Sequence, residues 1–215
     1  LPVHTLLENR LAALKGYPAA LLFGSGYMAN LGIIAAIAGR RDWVVADKLA
    51  HASILDAAML SRAELRRFRH NDPGHLAAIL RERPAGTRCL VVTESVFSME
   101  GDCAPLAEIA AACAGHDAML MVDEAHATGV FGPGGAGLAA ALDLNGAINI
   151  SMGTLSKALG SYGGFCACSA GLRDLLVNRA RALIFSTAPP PPAAGAALAA
   201  LDFLSAHPNA GQELL

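Results

Sequence analysis

The sequence predicts an α/β fold: one mostly parallel sheet of about seven strands, with helices on both faces. Three observations lead there. Strand-length and helix-length apolar segments alternate along the 215 residues. The strand candidates, such as "CLVV" and "AMLMV", are apolar almost throughout, the pattern of strands buried on both sides. The chain is also 54% hydrophobic and only 16% charged, so it has much surface to bury in a doubly covered sheet or a subunit interface.

Each element has local grounds. "HTLLENRLAALKG" is apolar at helical spacing and Gly16 stops it. "AALLF" is a short strand, after which "GSG" feeds the helical run "YMANLGIIAAIAG". "WVVAD" reads as strand, "ASILDAAMLS" as helix and "ELRRF" as a weak strand. "PGHLAAILRER" is a helix opened by proline. "CLVVTESVF" is strand, "APLAEIAAACAGH" helix and "AMLMVDEA" strand. "AINISMG" and "GGFCACS" are the last strands. "AGLRDLLVNRARALI" and "PPAAGAALAALDFLSAHP" close the chain as helices, with "APPPPAA" a rigid turn between them. No linker, repeat or low-complexity segment divides residues 1–215, so one domain is expected.

Composition narrows the function classes. No apolar run reaches the length of a membrane span, and "LPVHTLLENR" lacks the features of a signal peptide. A formal net charge of −2 gives no general pull toward nucleic acid. The basic run Arg62–His70 reads as a solvated edge rather than a phosphate-contacting strip. Five cysteines, odd in number and without C-x-x-C spacing, suit a reduced, cytosolic packing role, with Cys166 and Cys168 on the same side of one strand.

In open parallel sheets ligands bind at the carboxyl ends of the strands, so polar residues that follow apolar runs are the candidates. Ser25, Gly26 and Tyr27 begin a helix whose free amides suit a phosphate. Glu94, Ser98, Glu100 and Asp102 follow one strand; Asp123, Glu124 and His126 follow the most apolar one. Thr154, Ser156 and Lys157 follow another. "VDEAH" resembles the acidic motif of a helicase-type ATPase, but no G-x-x-x-x-G-K-[ST] accompanies it. A metal site from Asp123, His126 and His116 lacks any supporting ligand spacing, so no metal is expected.

Asp123 and Lys157 are more informative together. A carboxylate ending a buried strand needs a cationic or hydrogen-bonding partner. Lys157, one of only three lysines, lies among small residues, where desolvation lowers its pKa and frees the amine for a Schiff base. Pyridoxal phosphate meets both demands, binding lysine through its aldehyde and placing a carboxylate against its ring nitrogen. His51 is placed to stack on such a ring. On this chemistry alone, unrelated buried polar residues capping turns remain the alternative.

The motifs "GSGYMAN", "ADKLAHASILDA", "RRFRHND", "TESVFSMEGDCAPL", "VDEAHATGVFG" and "GTLSKALGSYGG" run in this order along essentially the whole chain. In them the chain resembles the large catalytic domain of pyridoxal-phosphate enzymes with the aspartate aminotransferase fold, and among these the α-oxoamine synthases. The resemblance implies Lys157 as the covalent lysine, Asp123 as the ring-nitrogen partner and His51 as the stacking imidazole. It places His126 and Ser98 near the phenolic oxygen, and Glu94 in the substrate wall. Ser25, Gly26, Tyr27 and Thr154 would serve the phosphate, joined by Ser186 and Thr187 from the second subunit of a homodimer.

The implied reaction is decarboxylative condensation of a small amino acid with an acyl thioester, carried by CoA or an acyl-carrier protein. L-Alanine with a pimeloyl thioester fits best; members taking glycine or serine share the same motifs. Retention of Lys157, Asp123, His51 and His126 together argues against an inactive domain that merely keeps the fold. Family members are nearly twice as long. The expectation is therefore a catalytic domain lacking an N-terminal segment and a C-terminal small domain, the latter carrying the arginine for the amino-acid carboxylate.

Overall fold

In the computed structural model, which describes residues 1–215, helix α1 (Pro2–Lys15) leads into strand β1 (Ala19–Phe23) and helix α2 (Gly26–Ile37). There follow β2 (Trp43–Asp47), α3 (Ala52–Ser61), β3 (Glu64–Phe68), α4 (Pro73–Arg81) and β4 (Cys89–Glu94). Then come α5 (Leu106–Gly115), β5 (Met119–Asp123), α6 (Leu138–Ala141), β6 (Ile150–Thr154) and β7 (Gly164–Cys168). The chain closes with α7 (Ala170–Arg179), α8 (Arg181–Ile184), α9 (Pro191–Ala206) and α10 (Ala210–Leu214). The boundaries follow local chemistry. Gly16 ends α1 at φ 72°, a left-handed conformation that costs glycine little. Ser25, His51, Asp72 and Ser169 accept first-turn amides at the starts of α2, α3, α4 and α7.

The seven strands form one sheet in the order β1–β7–β6–β5–β4–β2–β3. β7 pairs antiparallel with both neighbours, and the pairs among β2 to β6 are parallel. Alternation divides the side chains between two layers. Leu21, Val44, Val92, Met121, Met152 and Cys166 face a core shared with α2, α3 and α7. Val45, Val91, Leu120 and Val122 face α4 and α5, while Leu22 and Phe165 face α1 and α9. Both sheet faces are thus covered, as the apolar strands predicted. Cys166 and Cys168 lie on one side of β7, buried, and all five cysteines are free.

Two expectations change. The single helix over 170–184 is two, broken at Ala180 (ψ 94°). Gly32 on α2 has no side chain, and a Cβ there would lie 3.4 and 3.6 Å from those of Ala182 and Ala180, so the chain bends to follow α2. The apolar piece before Ser186 is therefore the short helix α8. Two short helices, α6 and α10, are additional. The basic run occupies β3, an edge strand, with Arg66 paired to Glu64 and lying over the Trp43 ring. No helix is long and apolar enough to cross a membrane.

Candidate active site

Strand alternation decides which polar residues share a site. Val92 and Met121 face the α2–α3 layer, so Glu94 and Asp123, two positions further, leave the sheet on the same side. They are register partners across β4 and β5, and Met152 of β6 lies opposite Asp123. These strand ends, the starts of α2 and α3 and the loop after β6 enclose a cleft of about 210 Å³. Ser25, Gly26, Tyr27, His51, Glu94, Asp123, His126, Thr154 and Lys157 all line it.

Lys157 is exposed at the rim of the cleft, with Nζ 2.7 Å from His126 Nε2. Partial desolvation lowers its pKa, while Asp123 and Glu94 pull the other way. His126 is likewise held down by burial and by the lysine charge, against the opposing pull of Asp123. Glu94 is pushed up to about 7 by burial first and by neighbouring Asp123 second. The His51 amide, donating to Glu94 Oε1 at 2.7 Å, only partly offsets this. Asp123 is buried with both oxygens engaged: Oδ1 accepts from the Ala125 amide and Oδ2 from Asn30 Nδ2, each at 2.9 Å.

At the head of α2, Ser25 Oγ accepts the Met28 amide and Ser25 O the Ala29 amide. The Gly26 and Tyr27 amides lie outside the helix's own hydrogen bonding. The Tyr27 hydroxyl donates to Asp56. Thr154 Oγ1 donates to Gly163 O at 2.9 Å and lies 2.7 Å from Ser156 Oγ. A Cβ on Gly164 would lie 2.4 Å from Ser25 O, so this glycine lets β7 press against the turn that opens α2.

Other expected residues lie elsewhere. Ser98 is exposed in the loop after β4 and does not line the cleft. Ser186 and Thr187 line a separate hollow beside Leu22 and Gly24. Glu124 is buried in an ion pair with Lys15, Nζ to Oε2 2.8 Å. His116 caps the carboxyl end of α5, ahead of β5, whereas Asp123 ends that strand. A larger cleft of about 340 Å³ lies around Trp43, Cys89 and Met119, at the amino ends of β2, β4 and β5, and holds none of the lysine–histidine chemistry.

Sequence reasoning missed Asn30, Ser53, Ala125 and Met152, and did not assign Ser156 a role, yet all five line the cleft. A signal for Asn30 existed: it stands four residues after Gly26, one helical turn along the same face of α2. Its amide group bridges Asp123 and Ser53 Oγ, both at 2.9 Å.

Residues 1–213 match the family described as aminotransferase class I and II. The 8-amino-7-oxononanoate synthase of Anaeromyxobacter dehalogenans (strain 2CP-C) is 56% identical over 209 residues, 97% of this chain and 52% of that protein. A solved serine palmitoyltransferase from S. paucimobilis, a lysine-to-alanine variant with bound PLP–myriocin aldimine, is 39% identical. It has a TM-score of 0.93, covering 96% of this chain and 52% of that one. The 8-amino-7-oxononanoate synthase structure from Francisella tularensis is 34% identical with a TM-score of 0.83, covering 95% and 59%. The chain spans about half the length of the curated relatives it matches. It belongs to the aminotransferase class I and II family, and within it to the α-oxoamine synthases.

Proposed function

We propose that this chain is the large, pyridoxal-phosphate-binding domain of an 8-amino-7-oxononanoate synthase of biotin biosynthesis, acting as a cytoplasmic homodimer. L-Alanine and a pimeloyl thioester, on CoA or a carrier protein, give 8-amino-7-oxononanoate, CO₂ and the free thiol. The observation that carries this is the convergence of a lysine, two histidines and two carboxylates at the carboxyl ends of β4, β5 and β6. A small domain completes the substrate site.

The residues fit the cofactor. Asp123 is a buried carboxylate for a ring nitrogen, and the Gly26 and Tyr27 amides at the head of α2 suit a phosphate. A Cβ on Gly26 would sit 3.4 Å from Thr154 and narrow that cradle. Asn30 Oδ1 is buried without a protein partner on the same wall. Ser25 and Thr154 add hydroxyls, and the Thr154 hydroxyl turns from Gly163 O to serve. His51 covers the ring face, and His126 serves the phenolic oxygen, without Ser98, which lies outside the cleft. Ser186 and Thr187 reach the partner subunit's phosphate. In support, the cleft is smaller than the roughly 300–1,000 Å³ of complete small-molecule pockets. Phe185, beside Ser186, is also 72% exposed, as an interface residue would be in one subunit alone.

When bound, the cofactor supplies an aldehyde and an electron-accepting ring. Lys157 Nζ would hold the aldehyde and, once free, would take the substrate α-proton, its pKa lowered by partial desolvation. His126, 2.7 Å away, would accept or return that proton. Asp123 would keep the ring nitrogen protonated, and Glu94 would wall the substrate side.

A second reading, a serine palmitoyltransferase-type enzyme, is favoured by the 0.93 TM-score, but the 56% identity to an oxononanoate synthase outweighs it. Borohydride reduction with peptide mapping should place the cofactor label on Lys157; a label on Lys15 or Lys48 refutes the site. Product analysis with L-alanine, glycine and L-serine then separates the two readings.

A further inference from the structure

We propose that Asn30 and Ser53 are positioning residues that wire Asp123 to His51, setting the rotamer of the carboxylate and the tautomer of the imidazole. For its catalytic consequence this rests on the cofactor reading above; for its geometry it does not.

The direction of every hydrogen bond along the path is determined. Asp123 Oδ2 faces the side chain of Asn30 at 2.9 Å. A carboxylate oxygen accepts, so the Asn30 group facing it is the amide nitrogen; the flipped orientation would set two acceptors against each other. The same nitrogen donates its second hydrogen to Ser53 Oγ at 2.9 Å. The Ser53 hydroxyl lies 2.7 Å from His51 Nδ1 and donates there, because that nitrogen already faces a backbone amide and so carries no proton. The Ser53 backbone amide, which can only donate, also points at that nitrogen from 3.2 Å. Nδ1 therefore accepts twice, and the proton of the neutral ring sits on Nε2. Asn30 and Ser53 are each 1% exposed, so the bonds from Asn30 to Asp123 and Ser53 are shielded from solvent, while the His51 end is open. The main chain of His51 is held separately by Glu94. Two residues expected to grip opposite aspects of one ring thus share a single buried connection across α2 and α3.

The test reads the imidazole of the cofactor-free protein by long-range ¹H–¹⁵N correlation after ¹⁵N-histidine labelling. His51 should carry its proton on Nε2. In Asn30→Ala the donor to Ser53 Oγ is gone, so the hydroxyl is released and the His51 Nδ1 resonance should shift, while the Ser53 backbone amide keeps the proton on Nε2. Asn30 does not touch His51, so a merely structural asparagine would leave that resonance unmoved. Ser53→Ala, which removes one oxygen, should shift the Nδ1 resonance and keep the fold if Asn30→Ala does not. In the loaded enzyme Ser53→Ala should lower kcat roughly 10-fold with KM little changed. A wild-type proton on Nδ1 overturns the proposal, as does an unshifted Nδ1 in a folded Asn30→Ala or in Ser53→Ala. Failure here with successful Lys157 labelling refutes the wiring alone; the converse refutes the cofactor reading alone.

Discussion

Lys15→Met should destabilise the protein severely, and the cost can be worked from one buried cluster. Lys15 Nζ donates to Glu124 Oε2 and to Ala136 O, both at 2.8 Å, with each charged side chain 1% exposed. Ser151 Oγ donates to Glu124 Oε2 at 3.1 Å, and the Ala139 amide to Oε1 at 2.9 Å. Burial lowers the Lys15 pKa, and Glu124 works against that shift. Methionine keeps most of the lysine's length but leaves a buried carboxylate with two neutral donors. Breaking one side of such a pair costs about 3–5 kcal/mol. The penalty should therefore be about 3 kcal/mol at neutral pH, lowering Tm by roughly 6–12 °C in a chain of this size. Adding Glu124→Gln removes the charge and should restore most of the loss at pH 7. Urea and thermal unfolding at pH 7 measure both. A Lys15→Met penalty below about 1 kcal/mol at pH 7, or one that Glu124→Gln does not relieve, would refute the reasoning.

The other predictions concern the cleft. Asp123→Asn should lower kcat by about 10² or more with a smaller change in KM, because charge is lost and an NH₂ is set against the amide of Ala125 or Asn30; wild-type kcat would mean the carboxylate serves only the fold. Glu94 is raised from 4.5 to about 7, so the folded state keeps its proton while the unfolded chain loses it, and the stability it contributes is lost as pH rises from about 4.5 to 7. Glu94→Gln should match wild type near pH 4.5 and gain relative to it by about 3 kcal/mol above pH 7; a difference in melting that is flat with pH rules this out. A heterodimer of Lys157→Ala with Ser186→Ala/Thr187→Ala should hold one intact shared site and recover roughly half the activity per dimer. No recovery after proven subunit exchange would exclude the shared site.

The elements themselves were legible because their signals are local. "WVVAD", "ASILDAAMLS" and "ELRRF" form β2, α3 and β3 residue for residue, since apolar period, caps and turn residues act within a few positions. Asp123 and Lys157 stood out for a similar reason: each follows an apolar strand, and parallel strands in one sheet bring such ends to a common edge. The rest depended on packing between distant segments. Nothing near Asp123 names its partner Asn30, 93 residues away. Nor does "RHND" announce that His70 bridges Asp47 and Asp102 at 3.0 and 2.9 Å, bonds that raise its pKa despite the opposing effect of partial burial. Adjacent Asp123 and Glu124 serve different sites, one in the cleft and one buried against α1, because two neighbours at a strand end leave the chain in opposite directions. Lys15 and Lys157 both stand beside small residues and glycine; what distinguishes them is what folds against each. One is sealed against a carboxylate 109 positions away, the other left half open beside a histidine. A lysine's pKa and reach are set by that enclosure, and enclosure belongs to the assembled layers rather than to any stretch of the chain.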